Sequence, residues 1–186
     1  VIALGLNLVV GWLGRITLAH AGLVAVGAYG YAVLTLRTGL DFLGATTVVL
    51  VLGAAASLLL SLPAWRFKGD YYVMITLAVQ ALLYGAARNW FSPYAEIGSL
   101  KNLTNGPFGV AGVAKPEILG YKFVTTGGIC ILYLAAAGIA VLFFLRLVHS
   151  PWGRLLKCMR DDELALRGLG KQVRLLKVEA FAVAGA

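Results

Sequence analysis

An all-α, polytopic transmembrane helix bundle is the fold class this sequence predicts, and three observations predict it. Of its 186 residues, 60% are hydrophobic and only 13% charged, where a soluble domain carries about a quarter charged residues. The apolar residues come in blocks instead of alternating with polar ones. Several blocks reach the roughly twenty residues a helix needs to cross hydrocarbon. Backbone groups there must satisfy one another, so helices are the default and an open sheet is excluded. A water-soluble enzyme, a disordered tail and a coiled coil are excluded on the same counts.

The apolar blocks run over residues 1–13, 16–36, 43–62, 71–91, 123–147 and from 178 onward. The internal four each have the length of a membrane-spanning helix, near 30 Å at about 1.5 Å per residue. The first and last are shorter than a span, so both ends read as truncated and the chain as one incomplete transmembrane domain. Short polar joints lie at 14–15, 37–41 and 66–70, and two longer segments at about 92–122 and 148–177. The net charge of +8 could suggest nucleic acid, but half of the 16 Lys and Arg fall between Arg146 and Lys177. The imbalance is topological, and no nucleic-acid partner is expected. With simple alternation of the blocks, eleven of the 16 basic residues, Lys68 among them, share one side. Basic residues favour the cytoplasm, which makes the 92–122 loop external and the 148–177 loop cytoplasmic.

Within the blocks, Gly53, Ser57 and Ser61 are four apart, one small-residue face against which another helix can pack closely. Polar side chains are costly in hydrocarbon unless they face protein or water. Threonines such as Thr46 and Thr47 can bond back one turn; Asn7 and Gln80 cannot hide so easily and read equally as helix–helix hydrogen bonds or as lining of a passage. The run from Gly11 to Gly22 is unusual, because glycines at both ends and the polar Thr17 and His20 interrupt a helix. Interrupted helices at membrane depth are tolerated where they border a cavity. His20 is a lone imidazole with no carboxylate nearby in sequence, so neither a metal site nor a proton relay is expected. Cys130 and Cys158 have no pairing or metal spacing and read as structural.

In the 148–177 loop, Ser150 before Pro151 is a good helix start. Trp152, Leu155, Leu156 and Met159 then form one apolar stripe. The acidic triplet 161–163 favours a second start, and Gly168 and Gly170 favour its stop. The pattern predicts a short helix over 161–170, about two turns long, presented as a docking surface for a cytoplasmic partner. No motif of acid–base, nucleophilic or zinc chemistry is present. The 168–172 string fails as a phosphate loop, since Gln172 stands where Ser or Thr would hold magnesium. The chain is read as no enzyme, with no cofactor and no metal. Asn102-Leu103-Thr104 fits a glycosylation acceptor, a triplet common by chance.

That loop and the earlier segments resemble the permease subunits of branched-chain amino-acid ABC importers, the LivM/LivH family, and look closer to LivM. The strings that carry the resemblance are 4–11 (LGLNLVVG), 18–21 (LAHA), 27–29 (GAY), 62–64 (LPA), 68–71 (KGDY), 76–78 (TLA), 103–107 (LTNGP), 153–154 (GR) and 160–165 (RDDELA) running on to Leu169-Gly170. Their order and spacing, more than any single string, are specific. Two departures stand out: Gln80-Ala81 where family members often carry an acidic residue, and Leu164 where alanine is common.

The resemblance implies a translocation path for branched-chain or related hydrophobic amino acids, with urea and short amides as the alternative solutes. It implies a second, LivH-like permease subunit, two cytoplasmic ATP-binding subunits that hydrolyse the nucleotide, a periplasmic solute-binding protein, and a multi-pass place in the bacterial inner membrane. Arg160, Asp161, Asp162, Glu163, Ala165, Gly168 and Gly170 would couple to the ATPase. Asn7, Gly11, Thr17, His20, Gly22, Tyr29 and Gln80 would line the path. On this reading leucine at Gly11 or Gly22 impairs uptake more than leucine at Gly53.

Overall fold

The computed structural model describes residues 1–67, 69–99, 101–113, 115–118, 121–123 and 125–186. Lys68, counted above with the cytoplasmic cations, lies outside the described residues. The chain begins with α1 (Ile2–Asn7), which widens into a π-helical turn over Leu8–Trp12. An irregular break at residues 13–19 leads to α2 (His20–Thr38), α3 (Phe42–Arg66) and α4 (Asp70–Asn89). A long connection follows, with a 3₁₀ turn at Gly106–Phe108 and a two-residue antiparallel hairpin, β1 (Glu117–Ile118) with β2 (Tyr121–Lys122). Then come α5 (Thr126–Val148), α6 (Pro151–Asp161), α7 (Glu163–Gly168) and α8 (Val173–Gly185).

The helix bundle agrees with the apolar blocks, with three corrections. By length and apolar content, α3 and α5 are the clearest membrane-spanning helices among the described residues, so the four internal blocks are not equally apolar. In α2 and α4 the apolar residues are diluted by Gly, Tyr, Thr and, in α4, by Gln80 and Arg88. The 16–36 block becomes helical only at His20, because residues 13–19 form the break. The expected helix over 161–170 is shorter and starts later. Asp161 ends α6, and Asp162, extended at φ −149° and ψ 102°, separates it from α7.

Local rules explain most ends. The Ser150 hydroxyl accepts from the Gly153 N–H at 3.4 Å, and Pro151 occupies the first turn, so α6 starts as its sequence requires. Asp162 Oδ1 accepts from the amides of Leu164 and Ala165 at 2.8 and 3.1 Å, capping α7. Gly170 lies at φ +73°, a left-handed conformation that ends the segment and suits glycine. Between α5 and α6 the turn is so tight that a Cβ at Gly153 would fall on the Val148 carbonyl.

The main core gathers where the π turn, α6, α7 and α8 meet the ends of α3, α4 and α5. Its members include Leu8, Val9, Leu13, Tyr72, Leu156, Met159, Leu166 and Phe181. The α6 stripe behaves as its spacing predicts: Leu156 and Met159 are buried, and Trp152 and Leu155 pack against the cluster. Each fully buried side chain of this size contributes about 2 kcal/mol. The small-residue face of α3 meets α8, the most extensive helix pairing in the structure. There a Cβ on Gly53 would stand 2.5 Å from the Gly185 carbonyl oxygen. Helix α5 buries only Val148, so its apolar surface faces outward all round, as suits a helix meeting lipid or other helices.

Candidate functional site

The break at residues 13–19 is where the chain reverses. His20 Nε2 lies 3.2 Å from the place a Cβ on Gly5 would occupy. A continuous helix would hold those positions about 22 Å apart. The π turn and Gly14, at φ +71°, supply the change of direction. π turns leave the regular ladder and are found often at functional sites.

Freed backbone groups must find partners, and α4 supplies two. Thr76 Oγ1 accepts from the Leu18 amide at 3.1 Å, and Gln80 Oε1 accepts from the Gly22 amide at 2.6 Å. The buried Thr17 hydroxyl accepts from the Ala19 amide at 3.3 Å, a bond within the break, whereas Thr46 and Thr47 bond back one turn. Gln80 is therefore a helix–helix hydrogen bond at the first turn of α2.

On its other side the break is held by the α6–α7 junction. Arg160 Nη1 donates to the Gly11 carbonyl at 2.6 Å, and the Arg160 stem covers Gly14. Glu163 accepts from Arg15 Nη2 at 3.4 Å, from Lys177 Nζ at 3.0 and 3.1 Å, and from Arg167 one turn on at 2.6 Å. Arg15 also donates to the Phe67 carbonyl at 3.4 Å, just past the end of α3. Lys177 precedes the final apolar run. Burial pulls its ammonium below the usual lysine range, and the hydrogen bond to Glu163 opposes that pull. Trp152 Nε1 donates to Glu179 Oε2 at 2.8 Å, tying α6 to α8 as Glu163 ties α7 to it.

The sequence-derived positions fall into distinct places. Of the coupling set, Arg160 and Glu163 face inward to the break, Asp161 is exposed at the end of α6, and Asp162 caps α7. Ala165, Gly168 and Gly170 are exposed. Of the path set, Thr17, Gly22 and Gln80 come together at the start of α2. Asn7 lies over Gly11 within the π turn, and His20 lies beside Gly5. Tyr29 is half-buried further along α2 and joins none of these contacts. Asn102 of the glycosylation triplet is 2% exposed and donates to the Ala95 carbonyl at 3.0 Å, so its amide holds the loop together.

Three residues escaped the sequence reading: Thr76, Arg15 and Lys177. A basic residue inside a helix interruption and another abutting an apolar run were signals for the last two, but they were counted only for sidedness. Among the described residues no group of three His, Cys, Asp or Glu converges as metal ligands would.

The model of the family described as "Branched-chain amino acid transport system / permease component" matches residues 1–186. The chain is similar to the high-affinity branched-chain amino acid transport system permease protein LivM of Escherichia coli K12, 33% identical over 211 residues, covering 100% of this chain and 47% of that one. It is 32% identical to the LivM of Salmonella typhimurium with the same coverage. It is also 27% identical to a probable LivM of Methanocaldococcus jannaschii over 139 residues, 73% of this chain and 36% of that one. It thus spans about half the length (47%) of the two bacterial relatives. No solved structure matches. Matched along its whole length by the family model, and LivM-like within it, the chain belongs to the branched-chain amino acid transport permease family.

Proposed function

We propose that this chain is part of the transmembrane permease of an ATP-binding cassette importer for branched-chain amino acids. On this reading α7 is the helix that an ATP-hydrolysing partner subunit holds, and the break at residues 13–19 borders the translocation path. The observation that carries it is the division of α7 into two faces. Leu166 is buried in the core and Glu163 is tied to the break, while Leu164 and Leu169 stand 73% and 76% exposed, with Ala165 and Gly168 exposed beside them. A helix of six residues does not persist by its own propensity. Here it is anchored from within, which leaves an apolar outer face with small residues that let a cleft close around it.

The whole assembly adds a second, LivH-like permease subunit, two cytoplasmic ATP-binding subunits and a periplasmic solute-binding protein, in a bacterial inner membrane that the chain crosses several times. Closing and opening of the nucleotide sites would favour different positions of α7, and the gate follows by differential contact with the two states. The names of the relatives support the solute class.

The test is a mild-detergent purification of the full-length, tagged protein from its own host, beside a Leu164→Glu variant. The wild type is expected to bring an ATPase and a second permease with it. The variant should insert at equal level and lose the ATPase. A chain that purifies alone and still moves solute after ATP depletion would overturn the reading.

A further inference from the structure

Any force on the outer face of α7 reaches the rest of the chain through its inner contacts, and these concentrate on one carboxylate. Glu163 takes Lys177 Nζ on both oxygens at 3.0 and 3.1 Å, and Arg15 Nη2 at 3.4 Å. The two cations belong to different segments: Arg15 to the break, Lys177 to α8. Their side chains are 13% and 4% exposed, against 54% for Arg167, which also pairs with Glu163. Poorly hydrated cations depend on their carboxylate more than exposed ones do. Arg160 reinforces the link from α6, holding the Gly11 carbonyl at 2.6 Å. A cavity of about 310 Å³ borders the cluster and is lined in part by Gly14, Arg15, Arg160, Glu163 and Lys177. The charged ends therefore have room to exchange partners, unlike groups set in a solid core.

We propose that Arg15 and Lys177, acting through Glu163, are positioning residues for transport that carry displacement of α7 to the break at residues 13–19 and to α8. The proposal rests on the importer reading above. It assigns Glu163 to an inner joint, not to the partner's cleft, and gives Arg15 and Lys177 a role beyond setting sidedness.

The test uses the full-length protein purified with its partners and reconstituted in vesicles, where uptake of labelled leucine and ATP hydrolysis are measured together. Glu163→Gln should keep the ATPase subunit and hydrolyse ATP, while leucine moved per ATP falls about tenfold. Glu163→Asp, which keeps the charge, should recover most of that loss. Adding Arg15→Gln to Glu163→Gln should cost little more, because both changes break one link. Glu163→Gln strands a buried ammonium, so the double variant Glu163→Gln/Lys177→Met carries the same test where the single one accumulates poorly. It is expected to restore yield without restoring leucine moved per ATP. An unchanged ratio in Glu163→Gln, or recovery of the ratio in the double variant, would overturn the joint. So would loss of the ATPase subunit from Glu163→Gln, which would place Glu163 on the docking face. A wild type with neither ATPase subunit nor leucine uptake would instead overturn the importer reading, and the joint with it.

Discussion

Two places in this molecule bring distant segments together by opposite means. Where α3 meets α8, the contact depends on atoms that are absent: Gly53 and Ser57 leave room for the backbone of Gly185. Where the α6–α7 junction meets the break, the contact depends on charges that are present, with Glu163 and Arg160 reaching Arg15, Lys177 and the Gly11 carbonyl. Packing through small residues is intolerant of added volume and indifferent to charge. The ionic joint borders a cavity, accepts changes of shape, and is sensitive to the loss of a single carboxylate. The first suits a fixed scaffold and the second a part that moves.

The sharpest way to break this comparison is Gly53→Leu. A side chain there meets a backbone oxygen that cannot turn aside, and overpacking of this kind costs about 3 kcal/mol. Thermal unfolding of the full-length protein in detergent should drop accordingly, and an unchanged transition would show that α8 is not seated on α3. At Gly11 and Gly22 the added atoms meet the side chains of Asn7, Leu83 and Gln80, which can move. For stability, therefore, Gly53→Leu is expected to cost more than leucine at Gly11 or Gly22, whatever the order for uptake.

Gln80→Leu comes next. It removes one of two acceptors of the buried Gly22 amide, which also donates to the Ala19 carbonyl at 3.1 Å, at a cost of about 1 kcal/mol. Hydrogen exchange at Gly22 should speed up while exchange in α3 does not; equal protection would mean the Ala19 carbonyl alone holds that amide. Asp162→Ala removes the cap of α7 and should cost about 1 kcal/mol, read as faster exchange at Leu164 and Ala165. Smallest is Arg167→Ala. Its guanidinium is about half exposed and the pair with Glu163 is spaced one turn apart, worth about 0.5 kcal/mol. An Arg167→Ala loss larger than that of Asp162→Ala would mean that the exposed cation, not the buried ones, carries the joint.

Much of the architecture was legible in the residues. Ser150-Pro151, the stripe from Trp152 to Met159 and the glycine stop of α7 all depend on neighbours within about one or two helical turns and appear as read, while the acidic start falls at Asp162 and not at Asp161. The helix interruption between Gly11 and Gly22 was legible for the same reason. The small-residue face of α3 announced a close partner without saying which one. Two of the long blocks, those of α2 and α4, are the less apolar ones, because glycines, tyrosines and polar groups are spread among their apolar residues.

The candidate site was legible by halves. Sequence singled out Glu163 and Arg160 as coupling residues but not the direction in which they point. Glu163 and Arg15 are 148 positions apart, and no local pattern of charge predicts a pairing at that distance. Gln80 shows the same limit from the other side: an amide among apolar residues had to find a partner or a passage, and the fold supplied the Gly22 N–H.

Composition and periodicity by themselves determined that this chain is a bundle of apolar helices, that a helix starts at Ser150-Pro151 and a second short one follows before Gly170, and that its first apolar stretch is interrupted. Those properties follow from the hydrocarbon solvent and from hydrogen bonds within a turn or two. The tertiary structure alone decided that the chain reverses at the break, that α8 fills the small-residue face of α3, and that one carboxylate ties α7 to Arg15 and Lys177. Such pairings are chosen by shape and charge between segments far apart in sequence, and they exist only once the helices have packed.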